Sequence, residues 1–176
     1  MKNIFKYLAA VAMSVALTGM VGCDKPETEE PENNQQAENV ESALYAFQYN
    51  GEIVAAGATV YYTATSQQVS NDQAMVDFYM VNKTDGNLET VMKVERVSGP
   101  EELDNLEICY DGLCRNFTCP WTSAPMTLVP GVNEDLKMTI DYAPSVIDSK
   151  SVYRITIGKG SAMEQPQVMY LDITGE

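Results

Sequence analysis

Histidine is absent from this chain of 176 residues. That removes the commonest general base and the commonest zinc ligand together. A cysteine or serine nucleophile therefore has no histidine to activate it. Positive charge is scarce: 11 lysines and arginines stand against 25 acids, a net charge of −14. A surface this acidic is not drawn to phosphate backbones, so nucleic acid is not an expected partner. No stretch after the first two dozen residues keeps a long helical period. No Asp-x-Asp-x-Asp-Gly loop occurs, so Glu101, Glu102, Asp104, Glu107 and Asp111 read as a solvated acidic face rather than a calcium site. Acids scattered over turns and strand edges select no pair for glycoside hydrolysis. The chain is expected to be no enzyme and to hold no cofactor or metal.

What is present starts at the N-terminus. Met1-Lys2-Asn3 and Lys6 make a basic start, and an apolar run follows from Leu8 to Val21. The run fits the roughly 7–15 residues of a secretory signal and falls short of the roughly 20 that span a bilayer. It ends in Met20-Val21-Gly22-Cys23, the order of a bacterial lipobox, with methionine where leucine is usual. Residues 1–22 are thus expected to be removed, and Cys23 to become the lipidated first residue. The lost segment carries two lysines and no acid, so the mature chain moves from −14 to −16.

Asp24 to Asn39 holds six acids, one lysine, two prolines and no large apolar residue. Such a segment cannot bury enough surface to offset its chain entropy. Residues 23–40 are therefore expected to be the lipidated cysteine and an acidic, flexible tether, extended by self-repulsion. Acids close behind the lipidated cysteine resemble the export tag of Bacteroides-type lipoproteins, interrupted here by Lys25, Pro26 and Thr28. That resemblance implies an outer-membrane protein on the cell surface, with a periplasm-facing position as the alternative.

From about residue 41 to 176 the composition shifts to tyrosine, valine, threonine and isoleucine, which favour pleated positions. Alternation recurs. Val76, Phe78 and Met80 share one purely apolar face, expected to be the core face. Tyr153, Ile155 and Ile157 alternate with Val152, Arg154 and Thr156. Met169, Leu171 and Ile173 alternate likewise, as do Leu136, Met138, Ile140 and Tyr142. Asn50-Gly51 between two such runs is a hairpin signal. Thr84-Asp85-Gly86-Asn87, Ser98-Gly99-Pro100, Pro130-Gly131 and Gly158-Lys159-Gly160 mark further breaks. Tyr61-Tyr62 should send one ring inward and one outward. The pattern predicts an all-β, antiparallel sandwich of about eight or nine strands, two sheets face to face.

With Cys23 assigned to lipid, Cys109, Cys114 and Cys119 remain, and an exported chain meets oxidising conditions. Asp111-Gly112 suits a two-residue turn that sets Cys109 directly opposite Cys114, within disulfide reach. Bonding of Cys114 to Cys119 needs the chain to fold back near Asn116. Three thiols without a histidine make a poor zinc set. Two prolines flank Trp121 in Cys119-Pro120-Trp121-Thr122-Ser123-Ala124-Pro125. Trp121 is the only tryptophan. Displayed on this loop it would be a binding hot spot, and buried it would sit beside the disulfide, as in immunoglobulin domains. Asn82-Lys83-Thr84 and Asn116-Phe117-Thr118 match the glycosylation pattern and carry no weight here.

Leu106–Cys114, Leu128-Val129-Pro130-Gly131, Ile140-Asp141-Tyr142-Ala143-Pro144 and Val152–Thr156 together resemble a set of small exported or lipidated Bacteroides-type proteins. The resemblance covers about residues 103–174. It implies an immunoglobulin-like sandwich with a Cys–Gly–Cys hairpin, mostly of unassigned function. This chain departs from it in the wider cysteine gap and in Cys119. Two functions follow as expectations. One is a membrane-anchored, surface-displayed module that binds protein or glycan through loops at one end. The other is a structural or accessory lipoprotein of an envelope complex or fimbria, with no soluble ligand.

Overall fold

Alternation in Ala74–Asn82 resolves as expected. In the computed structural model Val76, Phe78 and Met80 are fully buried, while Met75 and Asp77 face solvent. The structure describes residues 39–70, 74–99, 106–110, 112–142 and 150–175. The expected signal, Cys23 and most of the expected tether lie outside these residues, as do Glu101, Glu102, Asp104 and Asp111. Among the described residues there are 13 strands, more than the eight or nine expected, because several are pieces of two or three residues. Among the described residues no helix is long and apolar enough to cross a membrane.

The strands run in chain order as β1 (Tyr45–Tyr49), β2 (Glu52–Val54), β3 (Thr59–Ala64), β4 (Ala74–Asn82), β5 (Leu88–Ser98), β6 (Leu106–Tyr110) and β7 (Leu113–Phe117). There follow β8 (Trp121–Thr122), β9 (Met126–Leu128), β10 (Gly131–Val132), β11 (Met138–Tyr142), β12 (Ser151–Lys159) and β13 (Glu164–Gly175). A short helix, α1 (Ser66–Ser70), and a 3-10 turn at Glu134–Leu136 complete the described elements. That turn takes up Leu136, so the strand expected from Leu136 begins at Met138.

One sheet has the order β2-β1-β4-β11-β6-β7, and the other β3-β13-β12-β5-β8, with β10 and β9 as side pieces on β4 and β5. The run β1-β4-β11-β6 has the ABED order of an immunoglobulin domain, and β5-β12-β13 has its CFG order. The fold is an immunoglobulin-like β-sandwich. One pairing is parallel: β3 runs alongside β13 from Thr59 opposite Tyr170 to Ala64 opposite Gly175. The antiparallel expectation fails there because the N-terminal strands split between the sheets, β1 joining one and β3 the other.

Inward residues of both sheets form one core. Tyr45, Phe47, Phe78, Met92, Tyr153, Ile155, Ile157, Met169, Leu171 and Ile173 are all fully buried. Phe47 meets Phe78 edge-on, ring centres 6.0 Å apart, the arrangement the ring quadrupole prefers. Tyr61 is exposed and Tyr62 packs on the core, as adjacent strand residues must. Asn50 and Gly51 both have positive φ, +50° and +83°, and close the β1–β2 hairpin with Tyr49 opposite Glu52. This is the backbone that Asn-Gly favours. The expected break at Gly158-Lys159-Gly160 comes later than the sequence suggests, since β12 runs on to Lys159. Gly158 permits this, because Met163 folds back so closely that a Cβ would lie 2.7 Å from its Cα.

The chain enters the sandwich through a clamp. The Ser42 amide donates to Gln167 Oε1 (2.9 Å), and the Ser42 hydroxyl donates to the Gln165 carbonyl (2.7 Å). Lys83 Nζ donates to the Ser42 carbonyl (2.6 Å), and the Ala56 amide to Glu41 Oε1 (2.7 Å). Buried Asn82 and Asn133 hold the nearby turns. Asn82 donates to the Gly86 and Leu128 carbonyls and accepts from Thr84, while Asn133 bridges Val129, Gly131 and Met80. Each makes up for buried polarity with hydrogen bonds. The side chain of Asn82, in a glycosylation-type triplet by sequence, is a structural hub.

Candidate functional site

Strand β6 places Leu106, Ile108 and Tyr110 in the core and turns Glu107 and Cys109 to the outer face. Its partner β7 pairs in the register the Asp-Gly turn suggests: Tyr110 opposite Leu113 and Cys109 opposite Cys114. Gly112 has φ +69°, which a left-handed turn position requires. Cys109 and Cys114 are bonded as a disulfide, with Cα atoms 3.9 Å apart. Cys119 stands outside this bond and packs, half-buried, against the core. The Cys119–Pro120 peptide is cis.

The disulfide and Trp121 lie on opposite faces of the hairpin's sheet. Trp121, on β8, sits opposite the buried Val94 and packs inward from the second sheet. Its ring meets Tyr110 at 5.6 Å and Phe117 at 5.1 Å. Arg115 lies over Tyr110 with its guanidinium carbon 4.7 Å from the ring centre. Trp121 therefore bridges the sheets, half-buried, rather than standing on a displayed loop. It also lacks the contact with a disulfide that the immunoglobulin pattern suggests, because the bond here spans one edge hairpin instead of joining the two sheets.

Beside the disulfide the outer face carries a shallow hollow of about 440 Å³. Met75, Glu107, the two cysteines, Asp135, Lys137 and Thr139 line it. Met75 is 46% exposed there. Under the rim the Thr139 hydroxyl donates to Asp77 Oδ1 (2.6 Å), and Lys137 Nζ lies 3.3 Å from Asp77 Oδ2. The ligand atoms of Glu107, Cys109 and Cys114 lie within 4.8 Å of one another. With the two sulfurs joined, neither offers a thiolate, so a metal has no soft ligand there. The arrangement combines an apolar centre, two carboxylates and one ammonium on rigid strands. That chemistry suits recognition of a partner's surface.

Strand registers place the hairpin in the fold. Ile108 lies opposite Ile140, Met138 opposite Phe78, and Tyr45 opposite Asn82. The turn at Gly112 thus points toward the end where the chain enters. The turns at 84–87, 129–131 and 160–163 gather at the same end. A second hollow, of about 400 Å³, opens there between Val40–Ala43 and Gln165–Pro166.

No family model matches the sequence. No curated protein matches it either. Among solved structures, the N-terminal domain of PorA aligns with a TM-score of 0.55 at 12% identity, over 75% of this chain and 97% of that one. The CooA pilin subunit of enterotoxigenic Escherichia coli aligns at TM-score 0.41 and 12% identity, over 76% and 99%. The PapD-like domain 7 of human CEP192 aligns at 0.39 and 10%, over 92% and 98%. At these identities the first likeness concerns the fold alone, and the other two carry no argument.

Proposed function

We propose that this chain is a lipid-anchored interaction module, held at the outer membrane through Cys23 and displayed on the cell surface, where it binds protein or glycan. It is a binder rather than an enzyme. The observation that carries the reading is the hollow beside the Cys109–Cys114 bond: a recessed, mixed apolar and charged surface on a disulfide-braced edge. Rigid framing supports it, because groups already held in place lose little entropy on binding. The lipobox Met20-Val21-Gly22-Cys23 and the acids behind it support the anchor and the display.

A photo-reactive side chain at Met75, on the full chain in intact cells, tests the site. Discrete adducts from Met75, absent when the same group replaces Ile53 on β2, are the expected result. Adducts equal at both positions, or none, would argue against this surface. Cys23→Ser tests the anchor and should move the protein from the detergent phase to the aqueous phase.

Open strand edges favour the second reading, an accessory part of an envelope complex or fimbria. Edges β2, β3 and β7 each end a sheet with one side unpaired among the described residues. Such edges accept an added strand.

A further inference from the structure

Sheet edges in this sandwich differ in how they are guarded. Strand β2 has three residues and carries Glu52; β7 carries Arg115; β8 and β9 have two and three residues. Short strands and charges are the usual means of blunting an edge. Strand β3, Thr59-Val60-Tyr61-Tyr62-Thr63-Ala64, has neither. It is six residues long, without charge, proline or glycine, in a chain whose net charge is −14.

Its backbone direction is set by its one partner. The Tyr170 amide donates to the Ala58 carbonyl, so Ala58 faces β13. By strand alternation Val60 and Tyr62 face β13 too. Thr59, Tyr61 and Thr63 then turn their N–H and C=O groups to the open side. Among the described residues no strand lies there. Tyr61, midway along, is 74% exposed, the most exposed large apolar residue described.

We propose that β3 pairs with β3 of a second copy of this chain, antiparallel, about a two-fold axis at Tyr61. A two-fold interface must match its own reverse. This strand does: Thr59 and Thr63 flank Tyr61 at two residues, and Val60 and Tyr62 at one. Tyr61 then meets Tyr61 of the other copy, Thr59 meets Thr63, and Val60 meets Tyr62. Threonine and aromatic cross-strand pairs of this kind stabilise sheets. The three residues whose backbone faces outward fall into hydrogen-bonded positions. No charge opposes a like charge along the seam. Asp172, opposite Tyr61 on β13, already pairs with Lys150 at 2.7 Å. The inference stands apart from the hollow on the other sheet, and either can fail alone.

Variants of the full chain that each add one cysteine, oxidised mildly in intact cells and run on non-reducing gels, test the register. Tyr61→Cys should give a dimer absent from wild type, which controls for Cys119. Thr59→Cys and Thr63→Cys should each stay monomeric alone and cross-link when co-expressed. As a second measurement, Tyr61→Lys should sediment as monomer with unchanged circular dichroism, where wild type sediments as dimer. A monomeric wild type, equal dimer from Thr59→Cys and Tyr61→Cys, or a Tyr61→Cys adduct with a different protein would overturn the pairing.

Discussion

Replacing Trp121 by alanine should loosen the two sheets where β8 packs on the β6–β7 hairpin. The ring stands on β8 in one sheet and packs on Tyr110 and Phe117 in the other. A tryptophan withdraws about 150–250 Å² from water, and at about 25 cal/mol per Å² the whole ring would contribute roughly 4–6 kcal/mol. Its half-buried position and the methyl retained by alanine reduce this. The two aromatic contacts restore about 1 kcal/mol. The net loss should be about 3 kcal/mol, at the low end of the ~3–5 seen for buried aromatic truncations. Urea unfolding followed by circular dichroism measures it. With a slope of about 1.5 kcal/mol per M, the midpoint should fall by about 2 M. Trp121→Phe, which keeps a ring against Phe117, should lose less than half as much. A shift below about 0.5 M at constant slope would mean that the ring is no inter-sheet bridge, and would refute the reasoning. Tyr110→Ala should couple to Trp121→Ala by about 1 kcal/mol in a double-mutant cycle.

Three further outcomes are expected. Cys109→Ser with Cys114→Ser opens a six-residue loop, for which chain entropy gives a cost of about 2 kcal/mol; an unchanged urea midpoint would contradict it. Gly158→Ala should lose about 2 kcal/mol by overpacking, since its Cβ would meet the Met163 backbone at 2.7 and 2.8 Å. An equal fall in Tm for Gly86→Ala, where nothing lies within 4 Å, would remove that cause. Burial holds the Tyr45 hydroxyl above its ordinary pKa of 10.0, against a smaller opposing effect of the Thr90 hydrogen bond. The unfolded chain ionises first, so this group's contribution is complete below pH 10 and is lost as pH rises through the folded value. Tyr45→Phe should unfold less steeply with alkaline pH, and an identical profile would exclude Tyr45 as the cause.

Much of the core was legible because strand alternation reports burial directly. Val76, Phe78 and Met80, then Tyr153, Ile155 and Ile157, then Met169, Leu171 and Ile173, all face inward with no exposure. The two tight hairpins were legible because Asn50-Gly51 and Asp111-Gly112 specify local backbone, and local backbone sets register. What escaped depends on distant partners. Nothing within Thr59–Ala64 says that β13 will lie parallel to it. Gly158 looks like a break until Met163 folds over it. Asn82 and Asn133 resemble surface loop residues, and only the meeting of several turns makes them hubs. The hollow at the candidate site draws on β4, the β6–β7 hairpin and the stretch from Asp135 into β11, three regions far apart in sequence. Trp121 carried a compositional signal, but which side of the hairpin it would meet did not follow from the loop itself.

The clamp at Ser42 has a mechanical consequence. A pull on the chain leading into Asn39 would, without it, reach β1 alone and peel it from β4 one hydrogen bond at a time. The Ser42 bonds to Gln165 and Gln167 pass that load to the start of β13, and the bond from Lys83 passes part of it to the turn after β4. Strand β13 is paired along its length with β12 and on its far side with β3. Bonds to several segments must therefore yield together before the first strand can move. A tug at the N-terminal side is shared across both sheets, and the grip holds as one joint.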